Sequence, residues 1–329
     1  MNIGRTVVIL AWSGLTVVGP QWNNSARAQT TDLNFGIQSE GTWTIGSRTL
    51  PAPAAASDTL REAIANMPQP NAAEHAKRFP TTDEEWIRVI SAHDSKSVQL
   101  AKDLSESLSV AIEEDEIAGV SVRWLTPAGI DPANRDRLFV HTHGGAYVLN
   151  NGLAGAAEGI LIAHGAKIQV VSIDYSMPPE RDPFPASIDD VVAVWQSLLE
   201  DRPANSMMLG GTSAGGGLTL ASTMKFKDLG LDLPGALFAG TPWADLTKTG
   251  DTWFSNTGID RVLVTYDGPV EAAAKLYADG NDLKNPMISP MYGDFTNFPP
   301  TILFSGTRDL VLSDTVSPPP KASRSWYRI

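Results

Sequence analysis

Short apolar runs alternate with amphipathic runs from about residue 120 onward, and this alternation predicts a sheet covered by helices. Residues 168–173 are apolar at most positions, as expected for a parallel strand that is buried on both faces. Residues 189–200 are amphipathic, and a helix would bring Val192, Trp195 and Leu199 to one face. Further short strands are predicted at residues 121–126, 137–140, 235–238 and 301–304. Strands that alternate with helices are typical of a doubly wound, mostly parallel sheet, so the predicted fold class is α/β.

The pattern upstream of this region is helical. Ser57 is predicted to cap a short helix, and Thr82 forms a capping box with Glu85 at the start of another. A following helix is predicted from apolar residues at i+4 spacing that should pack against a core, namely Leu100, Leu104, Leu108 and Ile112. We therefore expect an N-terminal helical cap region over residues 29–115 and the α/β core over residues 116–315.

The first 28 residues have the pattern of a secretory signal peptide. Arg5 gives a positive start, residues 6–18 are apolar but too short to span a bilayer, and Ala26-Arg27-Ala28 is a small-x-small cleavage site. The alternative is a short membrane anchor, which the polar residues 21–25 disfavour. Cleavage after Ala28 predicts a periplasmic or secreted protein with no stable membrane insertion.

Charge and composition exclude several classes of partner. Removal of Arg5 and Arg27 with the signal peptide would take the formal net charge from -12 to about -14. Nucleic-acid binding requires a basic surface, so we expect no nucleic-acid partner. The chain has no cysteine and no histidine cluster with zinc-ligand spacing, so neither disulfides nor a metal site is predicted. No phosphate-binding glycine motif is present, and no cofactor is expected.

One serine lies on a predicted sharp turn between a strand and a helix. Gly211-Thr212-Ser213-Ala214-Gly215 follows the apolar residues 206–209 and opens a run of small residues. The backbone of such a turn is strained and exposes the hydroxyl, and flanking side chains would clash where the strand meets the helix. Amides at the helix start face any anion that forms there. The pattern indicates a nucleophile elbow at Ser213; the alternative is a packing turn in a glycine-rich chain.

A second glycine motif follows an earlier predicted strand. Residues 137–140 lead into His141-Thr142-His143-Gly144-Gly145-Ala146-Tyr147, about 70 positions before Ser213. Acyl transfer places negative charge on a carbonyl oxygen, and each fixed N–H donor that meets it is worth roughly 3 kcal/mol of barrier. The amides of Gly144 and Gly145, with that of Ala214 after the serine, are the candidate oxyanion hole. The alternative is a Gly-Gly turn beside two solvated histidines.

The joint order of these motifs resembles the bacterial hormone-sensitive-lipase family, the family IV esterases of the α/β-hydrolase superfamily, in its GTSAG branch. The resemblance covers about residues 120–315 and is carried by His143 to Ala146, Asp174-Tyr175, Pro179-Glu180, residues 183–186, Gly211 to Gly217, residues 242–246 and residues 306–310. It implies an esterase that forms an acyl-enzyme, with Ser213 as nucleophile and Asp309 as the triad acid. The chain departs from the family's usual His-Gly-Gly-Gly motif at Ala146, which still has an N–H to donate.

The triad histidine that the resemblance requires after Asp309 is missing. The chain has five histidines, all before Ser213: His75, His93, His141, His143 and His164. None of them is expected to replace the missing base, because none should be oriented by Asp309. Only 20 residues follow Asp309, and three consecutive prolines at 318–320 cannot lie inside the expected helix. We interpret residues 316–329 as an atypical Pro-rich tail of a truncated or frameshifted chain that lacks the final strand and helix; the alternative is a genuine short tail.

The substrate implied by the resemblance is a small ester with a short- to medium-length acyl chain. An apolar cap without charged clamps suits an uncharged molecule, and the candidate walls of its pocket are Phe79, Tyr147 and Trp243. The sequence leaves open a homo-oligomer and two functions. The first is a carboxylesterase that is impaired or inactive as written. The second is a non-catalytic small-ligand-binding protein on the same scaffold.

Overall fold

The chain forms two compact units, residues 1–67 and residues 68–329. The computed structural model describes residues 36–37, 43–44 and 49–317. In the first unit, strand β1 (Gly36–Ile37) pairs antiparallel with β2 (Trp43–Thr44). Helix α1 (Asp58–Asn66) begins as predicted at Ser57, whose hydroxyl accepts a hydrogen bond from the Leu60 amide. The predicted signal peptide lies outside the described residues.

The second unit is built on a seven-stranded sheet. Its strands are β3 (Val110–Ile117), β4 (Val120–Pro127), β5 (Leu138–Thr142), β6 (Gln169–Ile173), β7 (Met207–Thr212), β8 (Ala236–Gly240) and β9 (Thr301–Phe304). The order across the sheet is β3-β4-β6-β5-β7-β8-β9. Strands β6, β5, β7, β8 and β9 run parallel, while β3 and β4 are antiparallel to their neighbours. The predicted mostly parallel sheet is confirmed.

Helices cover both faces of this sheet. Their bounds are α2 (Ala72–His75), α3 (Asp83–Leu108), α4 (Ala156–Ala166), α5 (Ala186–Asp201), α6 (Ala214–Leu229), α7 (Thr252–Ser255), α8 (Pro269–Ala278) and α9 (Leu312–Val316). Neighbouring strand residues enter different cores: Val140 packs with side chains of α5 and α6, whereas Phe139 packs with those of α3 and α4. Because successive side chains of a strand point to opposite faces, the sheet is doubly wound.

The cap region differs from the prediction in four respects. The capping box at Thr82 and the later apolar stripe belong to one 26-residue helix, α3. That helix ends at Ser109, which takes a left-handed φ of 53°, so Ile112 lies on strand β3 and not on the helix. Leu100, which was predicted to pack, is 52% exposed. Strand β3 also crosses the predicted boundary at residue 115, because its pairing with β4 makes it part of the main sheet.

The last described elements form one edge of the sheet. Strand β9 pairs with β8 alone among the described strands, and its Ile302 and Phe304 are 58% and 67% exposed. Helix α9 ends at Val316, and residues 318–329 of the predicted Pro-rich tail lie outside the described residues. Across the described ranges, none of the helices has both the length and the apolar character needed to span a bilayer.

Candidate active site

Ser213 lies on a strained turn between β7 and α6. Its backbone has φ 60° and ψ -122°, a region that only glycine adopts readily. The turn is held by its main chain: the Ser213 amide donates to the Gly240 carbonyl at 2.9 Å, and the Ser213 carbonyl accepts from the amide of Trp243 at 2.9 Å. Ser213 itself is partly exposed.

The glycines on either side of Ser213 lie against the end of β5. A Cβ on Gly211 would lie 1.7 Å from the Thr142 carbonyl oxygen, and one on Gly215 would lie 1.9 Å from the same oxygen. Neither position can therefore hold a side chain. This close approach brings the serine turn next to the His143-Gly144 segment that follows β5, as the sequence order predicted.

The candidate oxyanion loop lies beside the serine. A Cβ on Gly144 would be 3.4 Å from the Ser213 Cβ and 2.8 Å from the Thr212 carbonyl oxygen. Within the described part of the chain, the main-chain amides of Gly144, Gly145 and Ala214 donate no hydrogen bond. Amides at the first positions of a helix have no carbonyl to bond within that helix, so the amide of Ala214 is free to meet an anion.

Hydrogen bonds to two carbonyl oxygens fix the directions of the loop amides. The Gly144 carbonyl accepts from His143 Nδ1 at 2.8 Å and from Asn150 Nδ2 at 3.0 Å, and the His143 carbonyl accepts from the Tyr175 hydroxyl at 2.7 Å. In a planar trans peptide, the N–H points away from the preceding C=O. The amides of Gly145 and Gly144 therefore point away from the side chains that donate to these two carbonyl oxygens.

His143 lies against this loop and supports it. Its buried ring stacks on Tyr175 with centroids 4.4 Å apart. Burial lowers the pKa of His143 to about 4, despite the hydrogen bond to Gly144, so the imidazole is neutral near pH 7. Because a carbonyl can only accept, Nδ1 carries the ring proton. The loop also contains Ala146 and Tyr147 at left-handed φ values of 54° and 61°, a strained arrangement that these braces stabilise.

Asp309 lies in the loop after β9, and the groups among the described residues that hydrogen-bond to its carboxylate are hydroxyls and a main-chain amide. Its Oδ2 accepts from the hydroxyls of Thr241 and Ser305, and its Oδ1 accepts from the Val311 amide at 2.9 Å. Thr241 directly follows β8, so this bond connects the acid loop to the sheet. The carboxylate is anchored, but no imidazole is among its partners.

A second carboxylate, that of Asp314, stabilises the loop after β8 by accepting hydrogen bonds from its main chain. Its Oδ2 accepts from the amides of Ala244 and Asp245 at 3.0 and 2.9 Å, while its buried Oδ1 has no partner in the described part of the chain. Burial raises the pKa of Asp314 well above its usual range, although the two amides oppose this shift.

All five histidines lie within the described residues, and no hydrogen bond or ring contact joins any of them to Ser213 or Asp309. The imidazole of His93 contacts Asn150 Oδ1, that of His141 contacts Ser172 and Glu158, and that of His164 donates to the Leu108 carbonyl. His143 braces the oxyanion loop, and His75 lies in helix α2. Whether Ser213 and Asp309 work without a histidine stays a prediction.

The three predicted pocket residues have different environments. Tyr147 and Trp243 are buried with ring centroids 6.2 Å apart, and Tyr147 also stacks on Tyr277 at 4.0 Å. Phe79 is 44% exposed and lies in a surface groove of about 450 Å³. That groove includes Arg78, Glu85 and Arg88, so the surroundings of Phe79 are not the apolar cap that was expected. Contact of these three residues with a substrate stays a prediction.

Sequence reasoning assigned no positioning role to four residues that hold the loops, namely Asp94, Asn150, Tyr175 and Thr241. The Asp94 carboxylate on α3 accepts from the amides of Asn150 and Asn151 at 2.8 and 2.9 Å, and so connects the long helix to the oxyanion loop. The available signal was the position of Asn150 soon after a glycine motif, since asparagine tolerates left-handed φ and its φ here is 75°. Across the described residues, no cluster of three His, Cys, Asp or Glu side chains is placed to hold a metal ion.

A strained serine turn at the carboxyl end of a central parallel strand, beside free loop amides, defines the α/β hydrolase class. Comparison with known proteins agrees. A sequence profile described as the alpha/beta hydrolase fold matches residues 139–317. An acetyl-hydrolase from Streptomyces hygroscopicus is 33% identical over 197 residues, which are 59% of this chain and 65% of that protein. An esterase from Acinetobacter venetianus is 28% identical over 219 residues, which are 66% of this chain and 70% of that protein.

Solved structures identify the family. The esterase E25 is 52% identical, with a TM-score of 0.81 over 84% of each chain. An esterase from the bacterial hormone-sensitive lipase family is 27% identical, with a TM-score of 0.59 over 68% of this chain and 81% of that chain. The chain therefore belongs to the bacterial hormone-sensitive-lipase family of α/β hydrolases.

Proposed function

We propose that this protein is a serine carboxylesterase for small uncharged esters with short- to medium-length acyl chains. The observation that carries the proposal is the strained Ser213 turn beside loop amides that donate no internal hydrogen bond. Ser213 is the nucleophile, Asp309 is the acid, and the amides of Gly144, Gly145 and Ala214 form the oxyanion hole. The family membership and the names of the esterase relatives support this assignment.

The reaction has two acyl-transfer steps. Ser213 Oγ attacks the ester carbonyl carbon and loses its proton to a base, while the carbonyl oxygen becomes an oxyanion that the loop amides stabilise. The tetrahedral intermediate then expels the alcohol, which takes up a proton, and leaves an acyl ester on Ser213. Water attacks this ester, the carboxylic acid leaves, and Ser213 regains its proton.

Turnover by the chain as written should be weak, because no histidine contacts Ser213 or Asp309 to carry these protons. Loss of one triad member typically lowers turnover by a factor on the order of 10⁴ to 10⁶. Substrate binding and the oxyanion hole alone still give a rate roughly 10³-fold above that of the uncatalysed reaction in water. Activated esters with good leaving groups should react fastest. Amides should not react, since their leaving group needs protonation.

The same contacts support a second candidate, a non-catalytic protein that binds a small ligand. An anchored Asp309, a braced loop and free amides would suit an anionic or carbonyl ligand that is held without bond cleavage.

We further propose that the protein is exported and that its signal peptide is cleaved after Ala28. Sequencing the N-terminus of the protein recovered from the periplasm or medium tests this, and an intact N-terminus at Met1 would contradict it.

The deciding experiment follows p-nitrophenyl acetate and the acetylation of Ser213 by mass spectrometry. We expect slow, Ser213-dependent release of p-nitrophenol that is absent in Ser213→Ala. Acetyl-Ser213 without turnover would place the defect in the second step. If Ser213→Ala reacts at the same rate as the unaltered chain, Ser213 is not the nucleophile and the binding function is favoured. Turnover at the rate of ordinary esterases would show that a general base exists elsewhere.

A further inference from the structure

Four polar side chains form a continuous hydrogen-bonded chain next to the nucleophile turn; we refer to them as the His141 network. Ser172 on β6 contacts His141 Nδ1 at 2.9 Å, and His141 Nε2 contacts Glu158 Oε2 at 3.1 Å. The other carboxylate oxygen, Glu158 Oε1, accepts from the hydroxyl of Thr212. The network joins three adjacent strands, β6, β5 and β7, to helix α4 and ends one residue before Ser213.

The chemistry of the partners fixes the direction of each bond. An ionised carboxylate can only accept, so His141 Nε2 and the Thr212 hydroxyl both donate to Glu158. In the neutral imidazole the remaining nitrogen, Nδ1, then accepts from the Ser172 hydroxyl. Burial raises the carboxyl pKa of Glu158, but the hydrogen bonds from His141 and Thr212 outweigh it, so the pKa lies below its usual value and the carboxylate is ionised at neutral pH.

The network is enclosed where it contacts the sheet. His141 is fully buried, and the side chain of Glu158 is 26% exposed. Helix α4 passes close to the His141 ring at Gly159, where a Cβ would lie 3.2 Å from His141 Nδ1. On the other side, a Cβ on Gly240 would lie 2.9 Å from Thr212 Oγ1. The Thr212 hydroxyl therefore lies in a narrow space between β8 and the Glu158 carboxylate.

We propose that Glu158 is a positioning residue for Ser213, which it fixes by holding the side chain of Thr212. A backbone as strained as that of Ser213 persists only where its surroundings determine it. Thr212 is the last residue of β7, and its carbonyl oxygen lies close to the oxyanion loop, 2.8 Å from where a Cβ on Gly144 would be. Fixing Thr212 thus sets both the direction of the nucleophile and its distance from the loop amides. This role rests on the proposed esterase function.

The test compares isosteric variants at the end of the network. Thr212→Val removes the hydroxyl and keeps the shape, whereas Thr212→Ser keeps the hydroxyl. Thr223→Val is the matched control, because it removes another buried threonine hydroxyl, whose bond among the described residues is to the Thr219 carbonyl in the same helix, α6. Glu158→Gln keeps an acceptor for Thr212 but loses the charge. The rate of Ser213 acetylation by p-nitrophenyl acetate is measured against ester concentration for each.

We expect Thr212→Val to slow the maximal rate of Ser213 acetylation about tenfold, since displacements of about 1 Å can cost on the order of 100-fold. The half-saturating ester concentration should stay unchanged. Thr212→Ser and Thr223→Val should stay within about threefold of the unaltered chain, and Glu158→Gln should fall between these limits. Equal effects of Thr212→Val and Thr223→Val, or of Thr212→Val and Thr212→Ser, would overturn the proposal.

Two measurements do not depend on activity. The ¹⁵N spectrum of the unaltered chain should show the His141 proton on Nε2, and Glu158→Gln should move it to Nδ1, because the new amide donates toward the ring. Exchange of the Ser213 amide should rise in Thr212→Val and not in Thr223→Val. If the unaltered chain is not acetylated at Ser213, the esterase function fails, and these two measurements alone decide whether the network holds the turn. A proton on Nδ1 from the start, or unchanged amide exchange in Thr212→Val, would overturn it.

Discussion

Replacing Asn150 by aspartate should misdirect one donor of the proposed oxyanion hole. Asn150 Nδ2 donates to the Gly144 carbonyl at 3.0 Å, and this bond helps to fix the direction of the Gly145 amide, which belongs to the same peptide. Aspartate has nearly the same shape, but its carboxylate cannot donate and repels the carbonyl oxygen. The bond from His93 to the side-chain oxygen at position 150 can persist. The left-handed φ of 75° is tolerated by aspartate as by asparagine.

The expected magnitude follows from the two braces on the Gly144 carbonyl. Complete loss of one oxyanion donor costs about 10² to 10³ in rate. His143 still donates to the same carbonyl at 2.8 Å, so the peptide should tilt and not flip. We therefore expect the acetylation of Ser213 to slow about 10- to 100-fold, or about 1.4 to 2.7 kcal/mol of barrier.

The assay is the Ser213-dependent acetylation by p-nitrophenyl acetate, with the rate of Ser213→Ala subtracted. The matched control is Asn134→Asp, which also removes a side-chain amide from a main-chain carbonyl, that of Ala166 at 2.9 Å. Asn134 precedes β5 and so lies at the opposite end of that strand from the oxyanion loop. A rate for Asn150→Asp within about threefold of that of Asn134→Asp would refute the idea that Asn150 orients the hole.

Three further predictions concern stability and solubility. The raised pKa of Asp314 means that the folded chain binds a proton more tightly than the unfolded chain, so its contribution to stability is lost as pH rises above about 4. Asp314→Asn should therefore flatten the fall in the free energy of unfolding between pH 5 and pH 8; parallel curves for the two proteins would contradict this. Gly215→Ala should lower Tm sharply or prevent folding, because its Cβ would meet the Thr142 carbonyl, whereas Gly165→Ala has open space and should not; equal Tm values would contradict the packing argument. Phe304→Lys on the exposed edge strand β9 should reduce aggregation in light scattering without changing Tm, and unchanged aggregation would show that this edge is not the adhesive surface.

Local sequence was sufficient for the serine turn and for most strands. Residues 301–304 were predicted as a strand and form β9, and the predicted strand at 121–126 lies within β4. Periodicity failed at the end of α3, where Leu108 and Ile112 keep helical spacing although Ser109 ends the helix. The decisive factor there is the pairing of β3 with β4, which a spacing rule within one helix does not include. The spacing also could not show which face of α3 meets the sheet, so it did not predict that Leu100 is exposed.

The sequence by itself determined the order of the chemical groups: a glycine loop after one strand, a serine between glycines after another, and an acid after a third. These are properties of neighbouring residues, and the strand-turn-helix pattern fixes their local geometry. Only the tertiary structure decided how the groups are held. The bond between Asn150 and Gly144 turns a glycine loop into a directed donor, and the bond between Glu158 and Thr212 joins residues 54 positions apart. Because such bonds depend on how strands and helices pack across the sheet, they leave no periodic signal in the chain.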